Sequence, residues 1–297
     1  MALVDPQLNF VQCLGAAGLH RMAYWEWPYR GPALAEGCAP PVLVCVHGLS
    51  RQGRDFDSLA RAMQDRYRVV CPDVVGRGES DWLAHPAGYQ LPAYVADMVS
   101  LLARLNAPVL DWVGTSMGGL IGMGLAALPK NPIRRLVLND VGPTIAFEAL
   151  QRIGGYLGLP KRFASAAEGA AYLASISAGF GPHSEAQWAA LSAPMLRAEG
   201  GQFRLHYDPA IAQPFASFTK ELAEYGSAAL WKSYEAIACP TLLLRGEDSD
   251  LLSAETAQQM TERGPRARLQ GFAGVGHAPT LIQPEQIAAV RRFLNEA

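Results

Sequence analysis

Val109-Leu110-Asp111-Trp112-Val113-Gly114-Thr115-Ser116-Met117-Gly118-Gly119 is the stretch whose reading decides the fold. A mostly apolar run ends in Gly-x-Ser-x-Gly and passes directly into small residues, Met117 to about Ala127, that read as a helix. A serine between a strand and a helix sits on a strained turn, and glycines two places to either side let neighbouring backbone come close. The turn lifts the hydroxyl clear of both elements and leaves the N–H of Met117 beside it at a helix N-terminus. Ser116 is thus the candidate nucleophile. Five residues of this pattern recur by chance in Gly-rich turns; the strand before and the helix after give it weight.

The same alternation runs outward on both sides. Upstream lie the apolar runs Pro41 to Val46 and Tyr67 to Cys71, and downstream Ile133 to Leu138, each of the continuous kind that a strand buried on both faces requires. Between them, Phe56 to Met63 and Leu91 to Leu105 read as helices, the second with Val95, Met98, Leu101, Leu102 and Leu105 at helical spacing. At the N-terminal side, Asn9 to Leu14 and His20 to Trp25 flank a turn-like Gly15-Ala16-Ala17-Gly18 and predict a hairpin. Strand following helix at short intervals predicts an α/β protein with a mostly parallel sheet covered by helices on both faces.

Alternation stops between Val141 and Ala236, where segments read helical or irregular and strand-like runs are nearly absent. It resumes with Thr241 to Leu244, a helix near Ala254 to Arg263, a strand around Ala267 to Phe272 and a last helix from Pro284 to Leu294. The expectation is a core of residues 1–140 and 237–297, with a helical cap, residues 141–236, inserted in it over a pocket. Within the insert, Phe203-Arg204-Leu205-His206-Tyr207-Asp208-Pro209 mixes aromatic and polar groups, as pocket linings do, although an internal strand would read the same way. Trp188 reads as a core residue of the cap.

A serine at neutral pH needs a base to take its proton, and histidine is the usual one. Among six histidines only His277, in Gly274-Val275-Gly276-His277-Ala278-Pro279, stands on a glycine-flanked loop after the final strand. His20, His85 and His183 read as surface residues, and His206, with Tyr207, as a candidate for binding substrate in the cap.

His47-Gly48, Asp73-x-x-Gly76-x-Gly78-x-Ser80, Gly114-x-Ser116-x-Gly118 and Gly276-His277 together resemble the successive signatures of the α/β-hydrolase family, over about residues 20–140 and 238–297. The resemblance implies an eight-stranded sheet with a helical cap, a Ser-His-acid triad and no cofactor or metal. It also implies an oxyanion hole of two backbone N–H groups, those of Leu49 and Met117, with His47 holding the loop between them. Many relatives carry the acid three places past the glycine that ends the strand after the cap, where this chain has Ser249; Asp250 is one place late. A subgroup of bacterial esterases has a serine there and takes its acid from the strand before the cap, here Asp140 in Asp140-Val141-Gly142-Pro143. Asp140 is therefore preferred and Asp250 is the alternative. Asp73 reads as loop-shaping, Arg77 either as a partner for a neighbouring carboxylate or as part of a solvated face, and Arg51 as a cation that could meet an anionic substrate.

Hydrolysis of a small or medium-sized carboxylic ester through an acyl-enzyme is the leading function. A lactone, a thioester or a carbon–carbon bond is an alternative target of the same triad, and a non-catalytic receptor of the same fold is the rival from another class. The bulk composition agrees. A net charge of −2 with 18% charged residues offers no basic face for nucleic acid or an anionic membrane. Five scattered cysteines without a C-x-x-C pair, and an N-terminus without signal-peptide character, predict a cytoplasmic protein. The expected partner is a small-molecule ester, with a homodimer left open.

Overall fold

The computed structural model describes residues 5–216 and 219–296. Strands β1 (Gln7–Gly15), β2 (Gly18–Trp27), β3 (Val42–Val46), β4 (Arg68–Pro72), β5 (Leu110–Thr115) and β6 (Ile133–Asn139) come first along the chain. Three short strands follow, β7 (Arg162–Phe163), β8 (Leu196–Glu199) and β9 (Gln202–Leu205), and then β10 (Thr241–Gly246) and β11 (Arg268–Phe272). Eight of these form one sheet in the order β1-β2-β4-β3-β5-β6-β10-β11. The β1–β2 and β2–β4 pairs are antiparallel and every other pair is parallel.

Burial along β3 explains why the apolar runs are continuous. All five residues are buried, and they alternate between two cores. Val42, Val44 and Val46 join Trp112, Leu136 and Leu138 under helices α2 (Leu91–Leu105) and α3 (Met117–Ala126). Leu43 and Cys45 face the other way, with Val69, Val113 and Val137, against α1 (Asp57–Met63) and α10 (Pro284–Leu294). A sheet packed on both faces cannot afford a polar stripe, so alternation disappears from its central strands.

Residues between β6 and β10 leave the sheet. They form α4 (Phe147–Tyr156), α5 (Ala166–Ile176), α6 (Glu185–Ser192), α7 (Gln213–Ala216) and α8 (Lys220–Glu235). They also form a three-stranded antiparallel sheet, β7-β9-β8, in a region expected to be almost free of strands; β9 falls on the segment from Phe203 for which an internal strand was the alternative reading. Helix α9 (Ala254–Glu262) then lies between β10 and β11. The insert is tied to the loop after β4, where Gly78 N–H donates to the His206 carbonyl and Asp208 N–H to that of Gly76. Asp73 shapes this loop from below, accepting hydrogen bonds from Gly53 N–H, Glu79 N–H and the Trp25 indole.

Two local expectations are corrected. His20 is buried, not superficial, with Nε2 3.0 Å from Asp97 Oδ2 and Cys13 alongside. Arg77 is fully buried and, among the described residues, meets no carboxylate; it donates to the carbonyls of Leu49 and Val75 and to the Tyr94 hydroxyl. All five cysteines are free, three of them buried. No described helix is long and apolar enough to cross a membrane.

Candidate active site

Strands β5, β6, β10 and β11 are consecutive neighbours in the sheet and run parallel, so the loops at their C-terminal ends converge on one spot. Crevices at that edge are where open α/β sheets bind ligands. Ser116 follows β5, Asp140 follows β6, Ser249 follows β10 and His277 follows β11.

The turn holding Ser116 has φ 51° and ψ −115°, a conformation that a side chain other than glycine seldom adopts. Two features hold it there. Ser116 N–H donates to the Asn139 carbonyl at 2.9 Å, and the backbone packs at distances only glycine allows. A Cβ on Gly118 would lie 2.0 Å from the Val46 carbonyl oxygen, and one on Gly114 would lie 2.2 Å from that of Gly118. The Gly-x-Ser-x-Gly spacing is thus a packing requirement between β3, β5 and the first turn of α3.

From this turn a hydrogen-bond relay runs across three strand ends. His277 Nε2 is 3.0 Å from Ser116 Oγ, and His277 Nδ1 is 2.7 Å from Asp140 Oδ2. A carboxylate only accepts, so the proton sits on Nδ1 and the lone pair of Nε2 faces the serine. Asp140 is fully buried, at φ 55°, with its N–H donating to the Leu244 carbonyl. Its Oδ1 accepts from Gly246 N–H at 2.8 Å, and Oδ2 accepts from Ser249 Oγ at 2.5 Å as well as from the imidazole.

The structure therefore brings Ser116, His277 and Asp140 together and leaves Asp250 apart. Asp250 is half exposed and holds Arg152 of α4 through two bonds of 2.7 and 2.9 Å. Two residues in this network were passed over in the sequence. Ser249 donates to the buried carboxylate, and buried Asn139 donates to Thr115 Oγ1 and to the Pro279 carbonyl, joining the serine turn to the histidine loop. Ser249 stands in a motif position where many relatives carry the acid, but its role as donor, like that of Asn139, shows only once β6, β10 and the His277 loop are adjacent.

Across from the relay, the His47–Ser50 loop comes within van der Waals distance of the serine, for a Cβ on Gly48 would lie 3.7 Å from Ser116 Cβ. His47 holds this loop. Its Nδ1 lies 2.7 Å from the Gly48 carbonyl, and its Nε2 accepts from Val74 N–H at 2.9 Å. Complete burial lowers its pKa from the ordinary histidine value to about 3. Arg77 Nε donates to the Leu49 carbonyl at 2.8 Å, fixing the far side of the same loop.

The cleft above Ser116 is walled on one side by Gly48, Leu49 and Arg51 and on the other by Ile153, Ile176, Phe180 and Tyr207 of the insert. Tyr207 lines it. His206 does not: its Nδ1 lies 3.2 Å from the Pro194 carbonyl and its Nε2 3.3 Å from Arg197, and burial lowers its pKa. Phe203 also lies away from the cleft, on β9, and Trp188 stacks with Phe180. His183 is only partly exposed, with Nε2 2.8 Å from Oγ1 of Thr280, which lines the cleft. Arg51 lines the wall but is engaged, giving Asp55 two bonds of 2.6 and 2.7 Å and the Leu191 carbonyl a third. Burial raises the Asp55 pKa and the paired guanidinium opposes that rise.

With this geometry in view, comparison with known proteins places the chain. The family described as "Alpha/beta hydrolase family" matches residues 43–290. A 3-hydroxybutyrate-oligomer hydrolase of Cupriavidus necator is 54% identical over 297 residues, covering 99% of each chain. A 2-(acetamidomethylene)succinate hydrolase of Mesorhizobium japonicum is 26% identical over 86% of this chain and 88% of its own. Among solved structures, an alpha/beta hydrolase from Novosphingobium aromaticivorans superimposes with a TM-score of 0.84 at 35% identity, covering 99% of both chains. Sheet order, the strained serine turn and these relatives agree: the chain is a member of the α/β-hydrolase family.

Proposed function

We infer that the protein cleaves carboxylic esters by acyl transfer, and that its substrates are short oligomers of a 3-hydroxy acid such as 3-hydroxybutyrate. The observation that carries the first part is the unbroken relay Ser116 Oγ–His277 Nε2, His277 Nδ1–Asp140 Oδ2 at 3.0 and 2.7 Å. Ser116 Oγ attacks the ester carbonyl carbon while His277 Nε2 takes the hydroxyl proton. Negative charge gathers on the carbonyl oxygen, and the N–H groups of Leu49 and Met117 are the donors assigned to it. The tetrahedral species collapses, and the departing alkoxide leaves as an alcohol with the proton from His277. Water, deprotonated by the same imidazole, then attacks the acyl carbon and frees the acid and Ser116. Buried Asp140 keeps the Nδ1 proton in place and stabilises the imidazolium formed in each half.

Substrate class is supported by the relative at 54% identity over nearly its whole length. The cleft agrees with it chemically. Ile153, Leu173, Ile176, Leu191 and Met195 give an apolar wall suited to short methyl-bearing chains, and ester groups along such a chain need few hydrogen bonds.

Incubation with the dimer and trimer of 3-hydroxybutyrate, following release of monomer, tests this reading. Ser116→Ala should lower turnover by about 10⁶-fold, the scale on which a triad nucleophile acts. A fluorophosphonate should label the wild type and spare the variant. Labelling of Ser116→Ala at the wild-type rate removes the serine from the mechanism, and failure to cleave the oligomers while a p-nitrophenyl ester is cleaved removes the substrate class alone.

A further inference from the structure

An oligomer of a 3-hydroxy acid has an ester to be cut and, at one end, a free carboxylate. The cleft must deal with that charge, because its walls are otherwise largely apolar and the relay already holds a buried anion in Asp140. Two arginines line it among the described residues, Arg51 and Arg152.

They differ in what each would have to give up. Arg51 is nine-tenths buried, and its guanidinium is spent on Asp55 and on the Leu191 carbonyl. Drawing it toward substrate would strand the Asp55 carboxylate, whose pKa burial already raises, without its counter-charge. Its charge is cancelled inside the protein. Arg152 stands on α4 at the cleft wall and meets Asp250 from the loop after β10. Both side chains of this pair are close to half exposed, at 45% and 49%. An ion pair in that setting contributes little, and Asp250 set free is simply solvated. The planar fork of Arg152 grips one carboxylate through Nε and Nη2, the bidentate geometry that a substrate carboxylate would reproduce.

Resting on the acyl-transfer and 3-hydroxy-acid oligomer readings above, we propose that Arg152 is the receptor for the free carboxylate end of the substrate, and that Asp250 occupies it as an internal stand-in until substrate arrives. The site thereby favours free-acid oligomers over blocked ones and sets which ester of a chain reaches Ser116. Asp250, which the sequence offered as a triad acid, has a role in this arrangement without touching the reaction: it keeps Arg152 aimed at the cleft and competes with the ligand.

The experiment compares kcat/KM for the 3-hydroxybutyrate dimer as free acid with that for its methyl ester, as a ratio, in each protein. Wild type should prefer the free acid. Arg152→Gln should lower the acid-to-ester ratio by about tenfold or more, chiefly through KM for the acid, and Arg152→Lys should retain part of it. Asp250→Asn, which weakens the competitor, should raise the ratio roughly twofold or more. A merely structural role for the pair would lower both substrates together and leave the ratio where it was. Wild type indifferent to the methyl group, or Arg152→Gln with an unchanged ratio, overturns the carboxylate receptor while cleavage of both substrates leaves acyl transfer standing. Cleavage of both by Ser116→Ala at the wild-type rate overturns acyl transfer itself, and the receptor proposal with it.

Discussion

Asp140 is held by three donors, two from the end of β10 and one from the loop after β11: Gly246 N–H on one oxygen, Ser249 Oγ and His277 Nδ1 on the other. With all three in place the carboxylate has no freedom to rotate away from the imidazole. Asp140→Asn substitutes an amide that can present an N–H to His277, leaves the wrong tautomer facing Ser116, and should cost about 10⁴-fold in kcat, near 5 kcal/mol, with little change in KM. Asp250→Asn touches only the exposed pair with Arg152 and should change kcat by less than about tenfold. Ser249→Ala removes one of the three donors, a loss of about 1 kcal/mol in orientation and so of roughly fivefold in kcat. Steady-state kinetics on a chromogenic ester, with circular dichroism to show that each variant folds, ranks the three. A crippled Asp250→Asn beside a near-normal Asp140→Asn would reverse the assignment of the acid. Ser249 illustrates what sequence alone withholds. Its place in a motif reads as a missing aspartate, and the hydrogen bond that gives it meaning joins residues that only the sheet order brings side by side.

At the scale of elements, what the sequence displays depends on length and burial. Strands buried on both faces, such as β3 and β5, are visible as apolar runs because every position is constrained. The strands β7, β8 and β9 span two to four residues, so the alternation in Leu196-Arg197-Ala198-Glu199 and Gln202-Phe203-Arg204-Leu205 is too short to stand out from irregular chain. The signal that was available lies in the turn. Gly200 and Gly201, both at positive φ, are the two-residue connection expected of a tight hairpin. The loop after β3 gives a prediction of its own. His47 serves it in the neutral form, one ring nitrogen facing a carbonyl and the other accepting from Val74 N–H, and burial lowers its pKa to about 3. As pH falls, the unfolded chain takes up this proton first, near 6.5, while the folded loop refuses it. The stabilisation is therefore complete above about pH 6.5, declines between about 6.5 and about 3, and should amount to on the order of 3 kcal/mol lost by pH 4.5. Urea midpoints at pH 7 and 4.5 for wild type and His47→Gln would measure it. A wild-type midpoint no more sensitive to acid than that of the variant would refute the neutral, buried role.

On the scale of the whole molecule, the chain puts its two-sided apolar packing into the sheet and joins the insert to it through both buried and exposed links. The Arg152–Asp250 tie is exposed, whereas the ties at Gly76, Gly78 and Tyr89 to the segment 206–208 are buried. The insert should thus open locally at less cost than the sheet, beginning where it is least covered. Leu159, Pro160, Lys161 and Arg162 form such a place, an exposed connection between α4 and β7. Brief digestion with trypsin should cut first after Lys161 or Arg162, dividing the chain near its middle, well before any cut at Arg68, Arg134 or Arg135 on the sheet strands. The insert also supplies Ile153, Ile176, Phe180, Leu191 and Tyr207 to the cleft. An acyl-like group bonded covalently to Ser116 adds apolar contacts to that wall, binds the closed form in preference to the open one, and shifts the local equilibrium toward closure. Phosphonylated enzyme should accordingly be nicked several-fold more slowly at Lys161 and Arg162, by about 1 kcal/mol of added closure, while cleavage of the globally unfolded fraction follows overall stability. Mass spectrometry of the fragments at successive times measures both. First cuts within the sheet strands would dissolve the division into a core and a covering insert, and equal nicking of free and phosphonylated enzyme would show that α4 does not close over the serine.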